Sequence, residues 1–237
     1  ELSSFQLELF TSSYQGEAVE AMRSEQSRMV SLDDWSPPIA VITNVTPNHL
    51  DRHPSMADYV AAKRQILAHQ RRQNWAVLNA DDEISRELSA SVQGRLLRFS
   101  LEGPVEEGAY LRGNSLLLRE GGQERLVCEA SDIPLRGEHN VANVLAASCA
   151  ARAGGVSLEA IQSAVRGFEG LPHRLEPVRR WRDVLFVNDS IATSPERAVA
   201  ALRAYREPIV LLAGGRDKHL PWDEWRRSVL KQVRAVV

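Results

Sequence analysis

The chain has 237 residues, 43% of them hydrophobic and 25% charged, with a net charge of -2. That length admits one large domain or one and a half ordinary ones, and the composition is that of a soluble globular protein. The weak net charge gives no reason to expect nucleic acid or an anionic membrane as partner, and apolar runs such as Ile209 to Ala213 are far too short for membrane insertion.

The predicted elements begin with an apolar β-type segment, Ile39 to Thr43, after the Pro37-Pro38 break. It leads into the polar turn Asn44 to His49, of the kind found at the C-terminal end of a parallel strand. Ser55 is placed to cap a helix that runs to about Arg72. A short strand is expected at Trp75 to Leu78, a helix opened by Asp81 or Asp82, and another strand at Leu96 to Phe99. Alternation of this kind predicts a parallel α/β sheet. Three short strands follow at Tyr110 to Arg112, Leu116 to Leu118 and Arg125 to Cys128, separated by Gly113-Asn114 and Gly121-Gly122. Both pairs suit tight hairpin turns, so an antiparallel meander attached to the main sheet is expected. Helices come next, at about His139 to Ala153 and Leu158 to Phe168, and Gly170-Leu171-Pro172 marks a domain boundary. A second α/β unit then begins: strand Val184 to Val187, helix Pro195 to Tyr205, strand Ile209 to Leu212 and a helix from about Trp222. The final Val-Arg-Ala-Val-Val run reads as a strand just begun, and the chain, starting at Glu1, as a fragment cut at both ends.

Cys128 and Cys149 are the two cysteines and lack metal-type spacing, and no stretch at the start reads as a signal peptide. A reduced, cytoplasmic setting is expected. Lysine is scarce: of 29 basic residues, three are Lys63, Lys218 and Lys231. Lys63 sits inside a helical stripe of Met56, Tyr59, Val60, Ile66 and Leu67. An interior amine loses its proton more readily and can act as a nucleophile or take up carbon dioxide. The resulting carbamate is a hard oxygen ligand suited to magnesium. The other reading is a lysine whose stem packs on the core while its head reaches water.

His49-Leu50-Asp51-Arg52-His53 has the order of a metal-binding cluster, or is a polar loop with an incidental histidine pair. Asn140 and Asn143 share one face of a helix start, where their amides suit either an adenine edge or a cap. Asn188-Asp189-Ser190 and Gly214-Gly215-Arg216-Asp217-Lys218 follow predicted strands, where ligands bind in open α/β sheets. The latter lacks the spacing of a dinucleotide fingerprint. Together these features describe a cleft between two α/β units with magnesium- and nucleotide-like character.

Six segments in order, ELSSFQL (1–7), NVTPNHLDR (44–52), AAK (61–63), GEHNVAN (137–143), GLPHRLE (170–176) and NDSIAT (188–193), resemble the Mur ligase family. NHLDR and GEHN are shared with folylpolyglutamate synthetases; ELSSFQL and GLPHRLE point to the branch that adds D-glutamate to UDP-N-acetylmuramoyl-L-alanine. The resemblance implies an α/β fold: an N-terminally truncated central ATPase-type domain at 1–169, mostly parallel with an antiparallel meander. A partial, Rossmann-like C-terminal domain would follow at 170–237. It implies ATP and magnesium as cofactors, with Glu1, His49 and carbamylated Lys63 as metal ligands. Ser3, Phe5 and Gln6 would lie near the muramoyl substrate. Asn140 and Asn143 would contact adenine, while His173, Arg174 and Asp189 would line the nucleotide side of the cleft. Thr193 and Lys218 would reach D-glutamate, and Lys218 would also take part in catalysis.

The implied reaction converts a carboxylate to an acyl phosphate with ATP; the amine of D-glutamate then attacks and phosphate leaves. Two departures qualify the resemblance. Ile191 stands where the family motif has lysine, and no G-x-x-x-x-G-K-[ST] loop occurs in the 237 residues, so the fragment alone is expected to be inactive. The alternatives are another Mur-type or folylpolyglutamate synthetase-like ligase, and a non-catalytic Mur-like binding protein.

Overall fold

The structure, a computed structural model, describes Leu7 and residues 35–47, 53–216 and 220–237. Its centre is a six-stranded sheet in the order β1 (Ile39–Ile42), β2 (Trp75–Asn79), β3 (Arg95–Ser100), β4 (Gly108–Arg112), β5 (Ser115–Glu120) and β6 (Gln123–Glu129). β1 to β4 run parallel, and β4, β5 and β6 form the antiparallel meander. Gly121 and Gly122 both have positive φ, 55° and 76°, as a two-residue type I′ turn requires.

Helices cover both faces of the sheet. α1 (Met56–Ala68) and α2 (Glu83–Ser89) pack on one face, over Ala40, Ile42, Ala76 and Leu78. α3 (Glu138–Ala153) and α4 (Leu158–Gly167) pack on the other, over Val77, Leu97, Phe99, Leu116 and Leu118. Neighbours in β2 alternate between the two cores, which is why a continuous apolar run such as Ala76-Val77-Leu78 forms a central parallel strand. Asp82 is the residue that caps α2, accepting from the Ser85 N–H at 2.8 Å.

α1 ends four residues before the expected Arg72. Ser36 Oγ accepts the His69 N–H at 3.0 Å, and Gln70 Nε2 donates to the carbonyls of Pro37 and Trp75. These long-range bonds draw the chain off the helix axis and into β2.

On the meander, buried Tyr110 donates its hydroxyl to Glu124, which also pairs with Arg119 and Arg112. These partners, the Tyr110 hydroxyl foremost, hold the Glu124 carboxyl down at about 2. An acid with a depressed folded pKa stabilises the fold above its unfolded value, and that contribution fades as pH falls through the folded value. The thermal midpoint of Glu124→Gln should therefore lie below that of the parent by a constant margin from pH 8 to 5. The margin should close as pH falls towards 2; a pH-independent margin would argue against the network.

Beyond α4 the chain departs from expectation. β8 (Val184–Asn188) pairs antiparallel with β7 (Glu176–Trp181), a strand the sequence pattern did not announce. Most of β7 is exposed, so it carries no apolar alternation, and Pro177 and a bulge interrupt its ladder. α5 (Pro195–Arg203) leads to β9 (Ile209–Leu211), which pairs parallel with β10 (Val233–Val236) after α6 (Asp223–Gln232). Asn188-Asp189-Ser190 thus follows a hairpin strand and not a parallel one.

Candidate functional site

Two clusters flank the N-terminal turn of α5. The first lies on α1. Ser55 caps this helix through the Asp58 N–H at 3.2 Å, fixing where it begins. His53, 2% exposed, packs its ring 5.1 Å from that of buried Tyr59. Lys63, one turn on and half-buried, holds Nζ 5.7 Å from the centre of the Tyr59 ring. Burial raises the Tyr59 pKa, as does the Glu196 carboxylate, while Arg197 opposes them. Both of these charges come from the first turn of α5. The loop itself is gripped there, since Thr46 Oγ1 donates to Glu196 Oε2 at 2.8 Å.

The second cluster joins three of the motifs. His173 and Leu175 have positive φ, 65° and 45°, so the GLPHRLE segment doubles back onto NDSIAT. Leu175 N–H donates to Asp189 Oδ1 at 3.0 Å, Ile191 N–H to the His173 carbonyl at 3.2 Å, and Asn188 Nδ2 lies 2.8 Å from His173 Nδ1. Glu176 accepts from the His173 N–H at 2.8 Å and from Asn188 Nδ2 at 3.2 Å. At the start of α3, Gly137 has φ 99°, and a Cβ there would meet the His139 ring at 2.6 Å and Ala204 at 3.1 Å. Only glycine fits between the two.

Burial lowers the His139 pKa against the opposing field of Asp189, and burial raises that of Asp189 against Leu175, His139, Arg174 and Arg197. Arg197 therefore acts on both clusters. A carboxylate whose folded pKa is raised opposes folding when ionised, above its unfolded value. Asp189→Asn keeps the acceptor for Leu175 and removes that cost. Its thermal midpoint at pH 7 is expected to equal or exceed the parent's by about 1–2 °C; a fall of several degrees would contradict the assignment.

The expected site residues divide as follows. Asn140 is 5% exposed and its amide is engaged, Nδ2 donating to the Arg136 carbonyl at 2.8 Å and Oδ1 accepting from Asn143 at 3.3 Å. Asn143 is exposed on the same face. Arg174 and Asp189 act on His139 at the start of α3, His173 is bonded into the turn beside Asp189, and exposed Thr193 lies between Asp189 and Glu196 in sequence before α5. Ile191 is 42% exposed and serves the turn through its backbone. Glu1, Ser3, Phe5, Gln6, His49 and Lys218 lie outside the described residues. Among the described residues no group of three or more His, Cys, Asp or Glu is placed to hold a metal, and no helix is long and apolar enough to cross a membrane. Sequence reasoning did not single out His139, Glu196, Thr46 or Arg197; the available signals were that Thr46 lies within NVTPNHLDR and His139 within GEHNVAN.

A two-faced α/β sheet with an antiparallel meander, and the meeting of these motifs beside it, define the class. The Mur ligase middle domain matches residues 5–151, so the chain belongs to the Mur ligase family. It is 42% identical over 202 residues to the UDP-N-acetylmuramoylalanine--D-glutamate ligase of Acetivibrio thermocellus, covering 85% of this chain and 43% of that protein. It is 41% identical over 230 residues to the ligase of the same name from Symbiobacterium thermophilum, covering 93% of this chain and 50% of that protein. The chain thus spans about half the length of these relatives, or less. Among solved structures it superposes on MurF from Acinetobacter baumannii with a TM-score of 0.64 at 22% identity, covering 85% of this chain and 51% of that one. MurF from Thermotoga maritima in complex with ADP gives 0.59 at 19% identity, covering 85% and 53%. These two likenesses establish the fold.

Proposed function

We propose that the chain is part of an ATP-dependent ligase that joins D-glutamate to UDP-N-acetylmuramoyl-L-alanine in peptidoglycan precursor synthesis. The observation that carries this is the 42% identity over 85% of the chain to a ligase of that name. The meeting of GLPHRLE, which points to this branch, with NDSIAT at Leu175–Asp189 and His173–Ile191 supports it physically, because two of the family's motifs form one bonded unit. Residues 1–169 would be the central domain and 170–237 the beginning of the C-terminal one; the end of the six-stranded sheet and its helices at Gly167 favours that division.

In this reading Asn143 and Asn140 face the adenine, and Arg174, His173 and Asp189 the rest of the nucleotide. Asn143 is the exposed member of its pair and so the better placed for direct contact. Lys63 as a carbamate, with His49 and Glu1, would hold magnesium, which offsets negative charge during phosphoryl transfer when bound. The half-buried place of Lys63 beside Tyr59 suits an amine kept partly from water. Ser3, Phe5 and Gln6 would hold the muramoyl substrate, and Thr193 and Lys218 would meet D-glutamate. The cleft would close over the acyl phosphate and keep water from it.

The test is phosphate release by a full-length protein carrying this chain, with ATP, magnesium and UDP-N-acetylmuramoyl-L-alanine, comparing D-glutamate, L-glutamate, L-lysine and no amino acid. Release that depends on D-glutamate is expected, with Ile191 tolerated. Release with a different amino acid would move the protein to another step of the family.

A further inference from the structure

We infer that Glu196 is a positioning residue: from α5 it holds the segment that leaves β1, residues 43–47, through Thr46, so the C-terminal part of the chain shapes the surroundings of Tyr59 and Lys63. The inference rests on the ligase reading of that site. The contact joins residues 150 apart in sequence at 2.8 Å, and it is a hydroxyl donating to a carboxylate, the stronger kind of hydrogen bond.

Both ends of the contact are held in place by their own surroundings. Val45, 3% exposed, is part of the core that contains Tyr59, and the Tyr59 ring also packs against that of His53. Thr46 is the half-buried residue next to Val45 at which the other part of the chain reaches this loop. Across the cleft, Ser194 caps α5 through the Arg197 N–H, and buried Pro195 occupies its first turn. A carboxylate in a first helical turn also sits favourably in the helix dipole. The start of α5 is therefore fixed, and Glu196 stands near enough for its charge to act on Tyr59, whose ring has Lys63 Nζ 5.7 Å from its centre.

A second contact holds the other end of this segment. Arg136, just before α3, pairs with Glu207 at 2.9 Å and stacks 5.0 Å from the Tyr205 ring. Loss of the Thr46–Glu196 bond should therefore loosen residues 44–46 while the C-terminal segment stays docked through Arg136.

The experiment uses the full-length protein with Glu196→Ala, Glu196→Gln, Thr46→Val and the Glu196→Ala/Thr46→Val pair. Glu196→Ala and Thr46→Val should each lower kcat for D-glutamate-dependent phosphate release by roughly three- to tenfold, with the KM for ATP changed by less than about twofold. Glu196→Gln, whose amide oxygen still accepts the hydroxyl, should keep at least about half of the parent rate. The double variant should be no worse than either single, as two partners of one bond require. Amide exchange at Asn44, Val45 and Thr46 should quicken by a similar factor in both singles while β2 and β3 stay protected. Additive losses, a Glu196→Gln as impaired as Glu196→Ala, or loop exchange equal to the parent's would overturn the inference. A parent that releases no phosphate would sink the ligase reading alone, and the loop exchange would still decide the positioning contact.

Discussion

Replacing Lys63 by alanine in the full-length protein is expected to lower D-glutamate-dependent phosphate release by roughly 10²–10³-fold, the scale of losing one preorganised electrostatic group at a reacting centre. The fold should survive the change. Lys63 is half-buried, alanine is the strongest helix former, and α1 remains anchored by Tyr59, Ala62 and Leu67, all under 8% exposed. A stability change within about 1 kcal/mol is expected for such a position. Acetate or formate at high concentration should restore part of the lost rate, because a small carboxylate can stand where the carbamate oxygens would be. A lysine that merely packs its stem on Tyr59 predicts otherwise: near-parent activity in Lys63→Ala, and no response to added anions.

The largest structural effect is expected from Gly108→Ala. Gly108 opens β4, the strand at which the sheet changes from parallel to antiparallel pairing, and it stands opposite Arg98 in β3. Its φ is 130°, and a Cβ there would lie 1.9 Å from the Arg98 carbonyl oxygen, 2.7 Å from its nitrogen and 2.8 Å from its carbonyl carbon. All three are backbone atoms of a central strand, so no side-chain rotation relieves the clash. The strand must shift, and with it the pairing that brings Ala109 and Phe99 into the core beneath α3. A loss of about 4 kcal/mol is expected, combining backbone strain with core disruption. The thermal midpoint should fall by roughly 10 °C. A midpoint within a degree or two of the parent's would mean that Gly108 does not hold this register.

The sheet and its helices were legible because local signals and burial agree there. Val77 and Leu78 are apolar neighbours that serve opposite cores, and Gly121-Gly122 states its turn outright. β7 was not legible, since its residues face water and Glu176-Pro177-Val178-Arg179-Arg180-Trp181 has no period to read. The end of α1 was missed for a different reason: Ser36 and Gln70 decide it through bonds to residues that sequence order keeps apart. In the site, Lys63 stood out by its place in an apolar stripe, and the clustering of Asp189 with Arg174 followed from the family's motifs. Glu196 lies in no motif, and His139 sits within GEHNVAN without being singled out by it. Their contacts arise when 150 residues of chain bring Thr46 to α5, and when the start of α3 comes under the field of Asp189.

The ligase reading is tested most directly by mass analysis of the product formed by a full-length protein carrying this chain. ATP, magnesium, UDP-N-acetylmuramoyl-L-alanine and D-glutamate should yield the muramoyl substrate enlarged by one glutamyl residue, with one ADP and one phosphate for each amide made. ADP without enlarged product, or an enlarged product that contains a different amino acid, would contradict it.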